Sequence, residues 1–168
     1  MTYATATELL TRFDATEIAQ RVAREVPRLV TAEMLIAAAA AGSLAAFSAD
    51  EQAATAAALV VLQRAVQDAD DTINGYISAR YTLPIAPVPP GLARVACDLA
   101  RFYLYDDQVS DLIKEKHTAS MKWLADVSAG KVTLGAEAES GVQPVSSAGA
   151  ELISEETVWS RDRSRGFI

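Results

Sequence analysis

A single cysteine, Cys97, leaves no partner for an internal disulfide, and nothing in the chain calls for an oxidising compartment. One histidine, His117, is too few for a His-rich metal centre. Long apolar runs are missing. The longest, residues 34–41, is mostly alanine and falls well short of the ~20 residues that cross a bilayer. The opening MTYATATELL has no basic segment followed by an apolar stretch, so it does not read as a signal peptide. Positive charge is in deficit, with 15 Lys+Arg against 22 Asp+Glu and a net charge of -7. Such a body is a poor non-specific binder of nucleic acid and of anionic membranes. Phosphate-cradling glycine loops, zinc spacings and Ser, Cys and His arrangements are also lacking. These absences point to a protein that is not an enzyme and needs no cofactor. They place it in a cytoplasm, or in a larger particle built there.

What is present is helical patterning. The 168 residues suffice for one domain with a hydrophobic core. Thr5 and Glu8 stand at capping-box spacing before Leu9 and Leu10, and Asp14 and Glu17 repeat it before Ile18 and Val22. Helices at 6–12 and 15–25 follow, the second ended by Pro27. Residues 32–41 form a third, nearly apolar all round and so buried or set against a partner, with Gly42 as its C-terminal cap. Ser48 and Glu51 cap the longest helix, 49–80. Its stripe is Leu59, Leu62, Val66, Ala69, Ile73, Tyr76 and Arg80, opposite Gln63, Arg64, Gln67, Asp68, Asp70 and Asp71. Gly75 weakens this helix near its end and permits a kink or a close helix approach.

Pro84, Pro87, Pro89 and Pro90 make a stiff extended link and open the next helix, 91–105. That helix carries Leu92, Val95, Ala96, Leu99, Phe102 and Tyr103. Arg94, Asp98 and Arg101 follow one another at a turn's spacing, within ion-pair reach. The last helix, 109–129, spreads Leu112, Ile113, Lys116, Met121, Leu124 and Val127 over one broad side beside Trp123, and ends at Gly130. The expected fold is therefore all-α, a small helical bundle with a long central helix.

Two parts are expected: a helical domain over 1–130 and an extended C-terminal arm over 131–168. Residues 135–151 are rich in Gly and Ser with no aromatic, too little apolar area to offset ordering entropy. The end recovers Val158, Trp159, Phe167 and Ile168, interleaved with Arg161, Arg163 and Arg165. Trp, Phe and Arg are favoured interface anchors, so these seven residues are the candidate interface; a merely solvated tail is the next reading, and phosphate contact with stacking the weakest. The remaining candidates read as structural. Asp68, Asp70 and Asp71 form a solvated helix face without the spacing of a calcium loop. Asp106, Asp107 and Asp111 suit a helix start. His117 shares a face with Ile113 and Met121, and Cys97 reads as a small core residue.

An ordered set of short blocks carries a resemblance. They are Leu9-Leu10-Thr11-Arg12-Phe13, Asp68-Ala69-Asp70-Asp71-Thr72-Ile73-Asn74-Gly75-Tyr76-Ile77, Ala79-Arg80-Tyr81-Thr82-Leu83-Pro84, Ala96-Cys97-Asp98-Leu99-Ala100-Arg101, Trp123-Leu124, Ala129-Gly130-Lys131-Val132 and Trp159-Ser160-Arg161-Asp162. In this order they resemble the small structural proteins of Mu-like phages and prophages, over nearly the whole chain. The alanine-rich stretch 34–46 and residues 135–151 depart from the family pattern. The resemblance implies a head–tail connector at the phage neck. It would self-associate in a ring between the portal, or an adjacent connector, and a tail-side neck protein. Its surroundings would be the host cytoplasm during assembly and then the virion's head–tail junction, near packaged DNA and away from any membrane. It brings no catalytic residue. A non-enzymatic cytoplasmic helical adaptor that binds another protein is the alternative, and a small DNA-binding module is disfavoured because the helices are apolar and acidic.

Overall fold

The computed structural model describes residues 2–24, 27–105 and 109–134. Among these, six helices follow one another: α1 (Ala6–Arg12), α2 (Ala15–Val22), α3 (Ala32–Ala39), α4 (Ala49–Ile77), α5 (Pro90–Tyr103) and α6 (Asp111–Ser128). The fold is all-α, and the described residues contain no sheet. Helix α4 is the central rod. It packs most heavily on α5 and also on α2, α3 and α6.

Local chemistry explains most helix ends. Thr5 and Glu8 form a complete capping box, as do Ser48 and Glu51. Hydrogen bonds from the Ser48 backbone and hydroxyl hold the Glu51 carboxyl below its usual pKa. Asp14 caps α2 by accepting from the Thr16 amide, but Glu17 does not complete a box there, because it turns to Arg101. At α3 the box has an unusual closing member: the Thr31 amide donates to Sδ of Met34. Helix α2 stops at Val22, earlier than the Pro27 boundary.

Two helices end in Schellman geometry. After α6, Gly130 takes the left-handed conformation at φ +76, and the Lys131 amide reaches back to the Asp126 carbonyl at 2.9 Å. After α3, the left-handed residue is Ala41, at φ +54, one position before the expected Gly42. The Gly42 amide then bonds the Ala37 carbonyl at 2.7 Å. A Cβ in this region costs roughly 1–2 kcal/mol, so α3 ends under local strain.

The core runs along α4. Leu62, Val66, Ala69, Ile73 and Ile77 are buried against Leu92, Val95, Leu99, Leu124 and Val127. Each large side chain so enclosed contributes about 1.5–3 kcal/mol. Several sequence expectations need correction. Leu112 is 59% exposed, because Ile113, Ser120, Leu124 and Val127 take the inward side of α6. Leu59 and Tyr76 sit at the edge of the α4 stripe and are only half-buried. Gly75 serves no close approach, since a methyl group there would meet nothing within 4 Å. The stiff proline link is itself part of the packing, with Tyr81, Ile85 and Pro89 buried in the core.

The two ends of the described chain also join this core. Tyr3 and Ala4 are buried under α4. After α6, Leu134 is buried, and its amide donates to the Tyr81 hydroxyl at 3.4 Å. The helical packing therefore reaches past residue 130. The expected interface residues Val158, Trp159, Arg161, Arg163, Arg165, Phe167 and Ile168 lie outside the described residues, as do Asp106, Asp107 and the segment 135–151.

Candidate functional site

Among the described residues no three His, Cys, Asp or Glu side chains gather as metal ligands, and no helix is long and apolar enough to cross a membrane. The features that stand out are a polar clasp, a charged knot and two surface depressions.

The clasp overturns one expectation. Asp70 does not belong to a solvated acidic face; it is 1% exposed. Its Oδ1 accepts the Tyr3 amide at 2.9 Å, and the Tyr3 hydroxyl donates to Asn74 Oδ1 at 2.6 Å. Oδ2 of Asp70 is buried with no hydrogen-bond partner. Burial raises the Asp70 pKa, with the Tyr3 amide opposing and Asp71 adding to the rise. Burial, helped by the negative Asp70, pushes the Tyr3 phenol up to about 12. Asp68 and Asp71 are exposed as expected.

The knot joins α2 to α5. The Arg101 guanidinium clamps Glu17, with Nη2 at 2.8 and 2.7 Å from the two carboxylate oxygens and Nε at 3.0 Å from Oε1. The Tyr105 hydroxyl donates to the same Oε1. Arg101 also lies over the Phe13 ring and Arg21 over the Tyr105 ring. Arg101 is thus committed to Glu17 across the helix interface rather than to Asp98 on its own helix. His117 stacks on Phe102 with ring centres 3.8 Å apart, and burial lowers its pKa. Cys97 is buried among α5 core residues, which pushes its thiol up to about 11. Both residues have the structural roles their positions suggest.

The first depression, about 450 Å³, runs beside α4 between Val22, Val30, Ala57, Val61 and Leu104. Val60 and Val61 are 58% and 46% exposed on that helix. The second is a cleft of about 500 Å³ where α1, α5 and α6 meet. Arg12 comes from the last turn of α1, Arg94 and Asp98 from one face of α5, and Lys116 and Trp123 from one face of α6. Asp98 is half-buried in this cleft. Burial raises its pKa, while Lys116, Arg94, Arg12 and Arg101 all act to lower it. The cleft therefore gathers cations on a protein that is acidic as a whole. Spacing offered a partial signal for it: Arg94 and Asp98 are one turn apart on α5, and Lys116 and Trp123 are two turns apart on α6. Nothing in spacing shows that these pairs face each other.

The family pattern described as "Bacteriophage Mu, Gp36" matches residues 3–151, which takes in the whole helical body and its clasp. The chain belongs to the phage Mu Gp36 family. Two relatives bear this out. A protein of Haemophilus influenzae named "Mu-like prophage FluMu protein gp36" is 34% identical over 107 residues, 64% of this chain and 75% of that protein. "Gene product J" of Escherichia phage Mu is 34% identical over 108 residues, 64% of this chain and 76% of that protein. The resemblance to Mu-like phages and prophages thus holds at the level of this Gp36 family.

Proposed function

We propose that this protein is a structural virion component, a head–tail connector that assembles as a ring at the phage neck. The observation that carries the reading is the Gp36 family match over residues 3–151, shared with a prophage and a phage protein. The molecule suits it. A closed ring needs a heterologous interface, in which one surface of a protomer meets a different surface of the next. The small rigid body offers two such depressions on different helices. The chain beyond Leu134 supplies aromatic and arginine anchors in sequence. In this reading the arm beyond Leu134 orders on a neighbour, and its ordering cost arises only when the correct partner is present. The ring's partners are the portal or an adjacent connector above and a tail-side neck protein below. A net charge of -7 keeps free protomers apart and disfavours sticking to packaged DNA. The role is non-enzymatic and uses no cofactor. The protein would pass from the host cytoplasm to the head–tail junction.

Electron microscopy of assembled particles carrying a labelled copy tests this. Label at the head–tail junction is expected. Label confined to the capsid shell or the distal tail, or absent from virions, overturns the proposal.

A further inference from the structure

We infer that the cleft between α1, α5 and α6 is the docking site for residues 151–159 of a neighbouring copy of this chain. The inference rests on the ring proposed above and names the two surfaces that meet in it.

The argument begins with charge. The cleft is lined by three cations, Arg12, Arg94 and Lys116, against one carboxylate, Asp98. The adjacent Arg101 is neutralised by Glu17, so it does not change the balance. A surplus of two positive charges on a chain of net charge -7 is a local inversion of sign. It selects for a short acidic segment rather than a long polyanion, which the body as a whole repels. Residues 151–159 read ELISEETVW, with Glu151, Glu155 and Glu156 and no basic residue. Guanidinium groups clamp carboxylates in pairs, so Arg12 and Arg94 are suited to this partner.

The apolar content matches as well. Phe13 and Trp123 line the same cleft, both half-buried, with Val95 and Ala119 between them. The segment brings Leu152, Ile153, Val158 and Trp159 between and after its glutamates. An aromatic anchor in a pocket with charged pairs at the rim is the arrangement that concentrates binding energy. Length permits the contact. Residues 135–150 can span up to ~55 Å from Leu134, and α4, the longest described helix, is roughly 43 Å long. The segment therefore reaches an adjacent protomer.

The test uses the full chain with a photo-reactive benzoylphenylalanine in place of Val158, leaving Trp159 intact. Equal amounts of nitrogen-14 and nitrogen-15 chains are mixed at the highest soluble concentration, irradiated, and mapped by mass spectrometry. Cross-links joining chains of opposite label, from position 158 to the α5 stretch 94–98 or the α6 stretch 116–123, are expected. Glu155→Lys with Glu156→Lys, which changes no described residue, should lower their yield by roughly tenfold. Arg94→Glu with Lys116→Glu should do the same, and the four changes together should restore it. Cross-links within one label only, cross-links to the α4 groove, no cross-link, or a yield indifferent to the charge changes would each overturn the assignment. Retention of a single-stranded oligonucleotide that Arg94→Glu abolishes would reassign the cleft to nucleic acid and overturn it too. The outcome is separate from that of the labelled-particle experiment: a protein located at the neck can fail this test, and one absent from the neck can pass it.

Discussion

The Tyr3 amide and the Asp70 carboxylate are bonded at 2.9 Å across 67 positions of sequence, deep enough that Asp70 is almost fully enclosed. The same carboxylate leaves its second oxygen without a partner. A buried charge with half its hydrogen bonds made has a definite signature in pH. Its folded pKa is raised, so its contribution to stability is fully present below the unfolded carboxylate range and is lost as pH rises through the folded value. Asp70→Asn keeps an acceptor for Tyr3 without the charge. Urea unfolding should show this variant gaining on wild type as pH rises from about 4 towards 7. Asp70→Ala strands the Tyr3 amide and should cost about 1–3 kcal/mol at any pH in that range. A wild-type advantage over Asp70→Asn that grows with pH would refute the assignment.

The Glu17–Arg101 clamp should be worth more than a surface ion pair, because both side chains are mostly sheltered and two parallel hydrogen bonds fix them. Arg101→Ala should destabilise by about 2 kcal/mol, and Arg101→Lys should recover little, since one ammonium cannot serve both oxygens and cover Phe13. In a double-mutant cycle with Glu17→Ala, the coupling should be about 1–2 kcal/mol. Coupling near zero would show that the clamp is incidental.

Three exchanges between glycine and alanine should move stability in opposite directions. Gly75 lies in α4 with open space where a methyl would go, so Gly75→Ala should add about 1 kcal/mol. Ala41 holds a left-handed conformation, so Ala41→Gly should also stabilise, by about 0.5–1 kcal/mol. Gly130→Ala should cost about 1 kcal/mol or more, since φ is +76 and the new Cβ would run into the Arg80 guanidinium. Thermal unfolding reads all three, with roughly 3–5 °C expected for each kcal/mol in a body of this size.

Cys97 should resist alkylation in the folded protein. It is buried and its thiol is pushed up to about 11, so neutral pH supplies almost no thiolate. Iodoacetamide labelling at pH 7.5 should proceed at the rate of unfolding and accelerate in urea. Rapid labelling of native protein would contradict the burial.

Much of the fold was legible because it is local. Caps at Thr5 and Ser48 and the stripe Leu62, Val66, Ala69 and Ile73 are short-range patterns, and the helices formed where those patterns lie. Asp70 shows where such reading stops. It is four residues from Val66 and three from Ile73, so its spacing belongs to the buried stripe, but its acidic neighbours argued for water. What brings it inside is Tyr3, a partner no local window contains. Spacing alone has Glu17 close a cap and Arg101 pair within its own helix. Each instead meets the other over 84 positions. The cleft was equally hidden, since its cations come from three helices and only the packing of α1, α5 and α6 brings them together. The C-terminal anchors Val158, Trp159 and Phe167 stand out in the sequence by composition, and they lie outside the described residues.

Tyr3 and Leu134 are both fixed near the same end of α4, one on Asp70 and Asn74 and the other on Tyr81. The opposite end of that rod holds the turn from α3 through Ala41 to Ser48. The described body is therefore a polar object, with Tyr3 and Leu134 gathered at one pole and a closed loop at the other. Copies arranged side by side by rotation about an axis parallel to α4 keep their poles aligned. Any such assembly has two rims of different composition, and the chain leaves each copy after Leu134 at the same one.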